Sequence, residues 1–151
     1  MHQTPTQTIF FVAFALAAFA GAWFFAGYMT SLTTGWHALA GRFTLQNDFR
    51  REEWRFQSAI TRYATHYNNC LTIGANPAGL YLSMPRLFGI SHPNLFIAWS
   101  EITVSHTKFL FWDMVRLQLG RENSIPFTIR PKLAEGIRRA AGASWPKENL
   151  S

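Results

Sequence analysis

Cys70, with His66 four residues before it, is the pairing in this 151-residue chain that most resembles a nucleophile and its base. A thiol becomes reactive as the thiolate, so a catalytic cysteine needs a group close by to take its proton. Both residues fall in a run that reads as a strand. There, residues four apart share a face but lie about 13 Å apart, at roughly 3.3 Å per residue. His66 is too distant along the strand for direct activation, and the expected role of Cys70 is that of a buried, inert, small apolar side chain. As the single cysteine it can form no intrachain disulfide, which is compatible with a reducing compartment. His2, His37, His66, His92 and His106 show no close spacing of the zinc-ligand kind, and His92-Pro93 reads as a turn element. Neither a Gly-rich phosphate loop nor a nucleophile-elbow serine is present. The expectation is a chain that is not an enzyme and uses no metal or cofactor.

The charged residues offer a second kind of chemistry. A net charge of +6 and a pI near 10.1 would suit a polyanionic partner. Nucleic acid rewards clustered cations through counterion release, whereas here they are scattered. Arg50, Arg51, Arg55 and Arg62 lie near one end, Arg86 and Lys108 between, then Arg130, Lys132, Arg138 and Arg139, with Glu52 and Glu53 interrupting the densest group. No nucleic-acid partner is expected. Anionic lipid headgroups are the simpler target for such charge, and Arg51, Arg55 and Arg62 are the candidate contacts.

These residues must be positioned by something, and the strongest element in the chain is an anchor. Residues 9–29 form an uncharged run of 21, and all fourteen Lys and Arg follow it. As a helix rising about 1.5 Å per residue the run spans roughly 31 Å, the thickness of a bilayer's hydrocarbon core. A cleaved signal peptide is the competing reading, with Ala18-Phe19-Ala20 as a possible cleavage site. However, residues 1–8 hold no Lys or Arg, and the apolar run continues past Ala20 through Trp23, Phe24, Phe25 and Tyr28. A retained transmembrane helix is therefore expected. Arg42, Arg50, Arg51 and Arg55 on its C-terminal side, against only the terminal amine and His2 on the other, favour a cytoplasmic soluble domain on the inner membrane. Ala13, Ala17 and Gly21, and again Ala18, Ala22 and Ala26, recur every four positions. Such faces let helix backbones approach closely in lipid, which marks Ala13, Ala17, Gly21, Ala18 and Ala22 as candidate contacts for a partner helix. The alternative is that small residues are simply common in membrane spans. Trp23 and Tyr28 suit the aromatic belt at an interface.

Beyond the span, Thr33 or Thr34 is a candidate cap for a short helix starting near Gly35. Its stripe of Trp36, Leu39, Ala40 and Phe43 is expected to pack on protein, the membrane interface being the alternative. Residues 49–142 read as one domain. Trp54, Phe56 and Ile60 alternate with Arg55, Gln57, Ala59 and Thr61 as a half-buried strand, and residues 66–74 form a second. A turn at Asn76, Pro77 and Gly79 leads to a third strand, with Leu80, Leu82 and Met84 on one face. Pro85, Gly89 and His92-Pro93 bracket an irregular link. Strands at 94–99, 101–106, 113–119 and 125–130 follow, the last reached through a turn at 120–123. Pro131 suits a first helical turn, Leu133, Ile137 and Ala140 or Ala141 an apolar face, Arg138 and Arg139 the negative helix end, and Gly142 the stop. The dense run Phe109-Leu110-Phe111-Trp112 is expected to end a core strand. As an exposed hairpin tip it would be a membrane wedge or a partner contact. Trp145-Pro146, in the tail, is left either packed back or loose.

Leu71-Thr72-Ile73-Gly74, Gly79-Leu80-Tyr81-Leu82, Ile97-Ala98-Trp99-Ser100-Glu101-Ile102 and the closing helix together resemble bacterial pleckstrin-homology-like, or GRAM-like, domains. Gly35-Trp36-His37-Ala38-Leu39-Ala40 is similar to the lead-in of small single-pass bacterial membrane proteins carrying such domains. The resemblance covers about two thirds of the chain. It implies an α+β domain, a seven-stranded antiparallel barrel or sandwich capped by a C-terminal helix, following one N-terminal transmembrane helix. Relatives of the eukaryotic type bind phosphoinositides through Lys and Arg on the first two strands and their loop. Here that neighbourhood holds Arg62 and His66, and the first Lys is Lys108. Bacterial relatives serve more as interaction or scaffold modules. The resulting organisation is a tail (1–8), a transmembrane helix (9–29), a linker with a short amphipathic helix (30–48), the domain (49–142) and a C-terminal tail (143–151). The expected function is a membrane-anchored interaction module, an accessory subunit bound to other membrane-protein subunits, with a headgroup sensor built on Arg51, Arg55 and Arg62 as the alternative.

Overall fold

The computed structural model describes residues 4–45, 52–62, 65–87, 92–122 and 124–149. Its first element, helix α1 (Pro5–Thr34), is 30 residues long and extends beyond the apolar run 9–29 at both ends. Pro5 lies in its first turn, where a missing N–H costs nothing. Among the described residues it is the one helix long and apolar enough to cross a membrane, and none of its most apolar window is buried within the protein. Ala13, Ala17, Gly21, Ala18 and Ala22 all lie on this exposed stretch.

The exit from α1 corrects one sequence expectation. Neither Thr33 nor Thr34 caps the next helix, α2 (Trp36–Phe43). Its N-cap is Gly35, in the left-handed conformation at φ 82°, and no side chain caps it. The Thr34 hydroxyl instead donates back to the Thr30 carbonyl at 2.8 Å. Gly35 thus ends one helix and starts the next in a single residue, producing a sharp corner. The α2 stripe packs on protein: Trp36 and Leu39 are buried in the core, with Ala40 and Phe43 partly buried against it.

Seven strands follow: β1 (Glu52–Ile60), β2 (His66–Asn76), β3 (Gly79–Ser83), β4 (Leu95–Ala98), β5 (Ile102–Phe109), β6 (Trp112–Leu119) and β7 (Ile125–Ile129). They form an antiparallel sheet in the order β4-β3-β2-β1-β7-β6-β5. Alternation supplies the core, with Leu71 and Ile73, Leu80 and Leu82, Leu117 and Leu119, and Phe127 and Ile129 all buried. In the β2–β3 turn the Asn76 side chain accepts from the backbone N–H of Ala78 and Gly79, at 2.8 and 3.0 Å. A short 3-10 turn at Trp99–Glu101 precedes β5, so Glu101 is not a strand residue.

Two departures from strict alternation matter. Phe56 is expected to share the inner face of β1 but is exposed. Register shifts between Trp54 and Gln57 and between Gln57 and Ala59, with Phe56 at φ 56°, rotate it outward and leave Ala59 buried instead. The run after Phe109 is no core strand end. Phe109 pairs with Trp112, Leu110 and Phe111 form the turn, and Leu110, Phe111 and Trp112 are 77%, 96% and 72% exposed.

Helix α3 (Pro131–Ala141) closes the domain, burying Leu133, Ala134, Ile137 and Ala141, and Gly142 follows it at φ 60°. A side chain at Gly136 would come within 3.1 Å of the Trp54 indole, so glycine sets how closely α3 approaches β1. The tail packs back. The Trp145 ring stands 5.6 Å from that of Trp99, and β8 (Glu148–Asn149) joins the outer edge of β5 in parallel.

Gly35 is the tightest point of the architecture. A Cβ there would sit 2.6 Å from Ile125 Cδ1, on a backbone that L side chains rarely adopt. Gly35→Ala should lower stability by about 1–3 kcal/mol, measured as thermal unfolding of the full chain in detergent. An unchanged midpoint would show that the corner tolerates a side chain.

Candidate functional site

The C-terminal end of α1 is built into the domain through one buried polar cluster. Tyr67, second residue of β2, donates its hydroxyl to Thr34 Oγ1 at 2.7 Å, and Thr34 passes its own proton to the Thr30 carbonyl. His92 Nε2 lies 3.0 Å from the same Tyr67 oxygen. With the Tyr67 proton already committed to Thr34, His92 must be the donor there, which assigns its proton to Nε2 and leaves Nδ1 as a bare acceptor. Among the described residues, Nδ1 is buried without a partner. Trp36 stands edge-on to both rings, at 5.9 Å from Tyr67 and 5.2 Å from His92, and donates its indole N–H to the Pro93 carbonyl at 3.0 Å. Burial pushes the Tyr67 phenol up to about 12, although the Thr34 bond opposes the shift. It pushes His92 down to about 4, because the buried cation would lose its water. His92 is therefore a neutral structural pin, which reading His92-Pro93 as a turn did not reveal.

The sequence-derived candidates are not gathered into one site. Arg55 is exposed and 3.9 Å from Glu53. Arg62 is half-buried just beyond the end of β1, seven residues farther along, and Arg51 lies outside the described residues, as do Gly89 and Asn123. Cys70 is half-buried with its thiol pushed up by burial, the reverse of an activated nucleophile. The His66 ring stands edge-on to Phe109 at 5.6 Å. Among the described residues, no three His, Cys, Asp or Glu side chains converge as a metal site.

What does converge is an aromatic and basic surface. His66, Phe109, Trp112 and Met114 line an open groove of about 660 Å³, with Arg130 and Lys132 on its rim at the β7–α3 junction. The exposed turn of the β5–β6 hairpin adjoins it. Leu110 sits there at φ 56°, a left-handed conformation that glycine or asparagine adopts more cheaply. A turn selected for stability alone would not place Leu and Phe at these positions. On the other flank of β5, Glu148 accepts from His106 at 2.9 Å and from the Trp145 indole at 3.2 Å; these bonds hold its carboxyl below the usual range.

Compared with known proteins, the chain matches no family model, no curated protein and no solved structure.

The neutral His92 makes stability depend on acid. Its folded pKa of about 4 lies below the unfolded 6.5, so the unfolded chain takes up its proton first as the pH falls. Stability should be unaffected by this group above pH 6.5 and should decline by roughly 3 kcal/mol between about pH 6.5 and 4. The melting temperature of full-length protein in detergent, followed across that range, should fall less for His92→Gln than for wild type. Parallel curves for the two would contradict the assignment.

Proposed function

We propose that this chain is a membrane-anchored, non-catalytic interaction module, an accessory or scaffold subunit of a larger membrane-protein assembly. Its soluble domain is of pleckstrin-homology-like fold and lies on the cytoplasmic side of the inner membrane. The strand order β4-β3-β2-β1-β7-β6-β5 followed by a helix supports that fold. The charge bias after α1 supports the orientation.

The observation that carries the functional reading is the hairpin tip. Leu110, Phe111 and Trp112 are large, apolar, contiguous and open to solvent on a rigid hairpin. Aromatic anchors of this kind supply much of the binding energy at protein interfaces. The other end of the hairpin is the fixed one: Leu119 pairs with Ile125, which packs on Gly35, and Arg42 of α2 donates to the Glu122 carbonyl at 3.0 Å. Eight residues of strand, about 26 Å, carry the tip away from that joint. In the assembly, the Ala13, Ala17 and Gly21 face of α1 meets a partner helix within the lipid, while the tip contacts the partner outside it. Arg55 and Arg62 present separate charges rather than one pocket, which weighs against the headgroup sensor as the main role.

Phe111→Ser combined with Trp112→Ser should release the chain from its native complex on blue-native electrophoresis of gently solubilised membranes. Folding stability should change by no more than about 0.5 kcal/mol, because both side chains are exposed. Ala17→Leu with Gly21→Leu should release it as well. Unaltered migration of both variants with the complex, or migration of the wild type as a lone monomer, would overturn the reading.

A further inference from the structure

The Trp23 indole N–H donates to the Leu87 carbonyl at 3.1 Å, and this bond ties the segment after β3 to the side of α1. The apolar run ends at Met29, and the polar residues Thr30, Ser31, Thr33 and Thr34 follow it. Trp23 is six residues, about 9 Å, inside that boundary. If residues 9–29 fill the hydrocarbon, the segment after β3 must reach down to the same depth, since Leu87 is bonded there. We propose that the segment Met84 to Leu87 is a second membrane contact, inserted beside the anchor into the acyl region of the near leaflet of a phospholipid bilayer.

The residue chemistry fits that occupant. Leu87 is 66% exposed, and Phe24, Phe25 and Tyr28, one or two turns or less from Trp23 along α1, are exposed with it, so the apolar surface is shared between helix and loop. Lipid tolerates irregular backbone only where its polar groups are satisfied. Here the Leu87 carbonyl is satisfied by Trp23, and Pro85 has no N–H to satisfy. Arg86 precedes Leu87 and is exposed, a long cationic side chain able to reach back to the phosphate layer. The domain is then held to α1 at two heights, by Tyr67 on Thr34 and by Leu87 on Trp23, eleven residues or about 16 Å apart. It is partly sunk against the membrane face rather than suspended below it.

This inference rests on α1 crossing a bilayer, and the test separates the two. Full-length protein carrying Cys70→Ser and one new cysteine, Leu87→Cys, Phe14→Cys or Ala78→Cys, is labelled with an environment-sensitive fluorophore and reconstituted in phosphatidylcholine and phosphatidylglycerol vesicles. Ala78 lies in the β2–β3 turn, at the opposite end of β3 from Leu87. The expected result is blue-shifted emission at 87, quenched by lipids spin-labelled partway along the acyl chain and shielded from aqueous iodide. The label at 14 should be quenched by deep spin labels, and the label at 78 should be open to iodide. Iodide access at 87 with a lipid-buried label at 14 overturns the loop contact and leaves the span intact. Iodide access at both positions overturns the span and the loop contact with it.

Discussion

The joint between α1 and the sheet is the constraint on which the remaining structure depends. A membrane helix followed by a flexible tether would leave the domain free to rotate. Here Gly35 turns the chain in one residue, with its α-carbon so close to Ile125 that no side chain fits between them. Thr34 is held by Tyr67, Tyr67 by His92, and Trp36 packs on both rings. The cluster uses residues from the helix end, from β2 and from the segment before β4, elements distant in sequence that meet at this point. Each hydroxyl or ring N–H that is used finds an acceptor, and the one orphan of the cluster among the described residues is a ring nitrogen left as an acceptor, which costs less than a buried N–H without a partner.

From that joint the chemistry of the surface can be understood. A domain fixed to its anchor presents its outer features in a defined direction, so an exposed aromatic tip is aimed rather than loosely displayed. Cys70 and His66 do not form a nucleophile and base pair. The Cys70 thiol is suppressed by burial, and His66 is engaged with Phe109 instead of a nucleophile. The tail has a complementary role: Trp145 stacks near Trp99, and β8 covers part of the outer edge of β5, limiting the strand edge open to unwanted pairing.

Much of the scaffold was legible in the sequence because its signals are local. The alternation through Val115, Leu117 and Leu119 marks β6, and Pro131 with Gly142 brackets α3 within a residue of its ends. What was not legible depends on geometry that periodicity cannot carry. Phe56 obeys the two-residue rule in sequence, but a bulge rotates it outward. The run at Phe109 has the same composition whether it ends a buried strand or forms a turn, and only the pairing of Phe109 with Trp112 distinguishes the two. Tyr67 and His92 lie 25 residues apart, and Trp23 and Leu87 are 64 apart, with no motif connecting either pair. Of the basic candidates, Arg55 and Arg62 are close in sequence, but an extended strand separates neighbours faster than a helix does.

The corner at Gly35 has a mechanical consequence. Because the helix end and the hairpin base meet there without slack, helix and domain turn as one body, and the hairpin acts as a lever whose fulcrum is the joint. With an arm of about 26 Å, a tilt of roughly 10° in α1 sweeps the tip through about 4–5 Å. Helix tilt follows bilayer thickness. If α1 spans a bilayer as proposed, the position of Phe111 follows the tilt of the helix, amplified into a displacement large enough to make or break a side-chain contact.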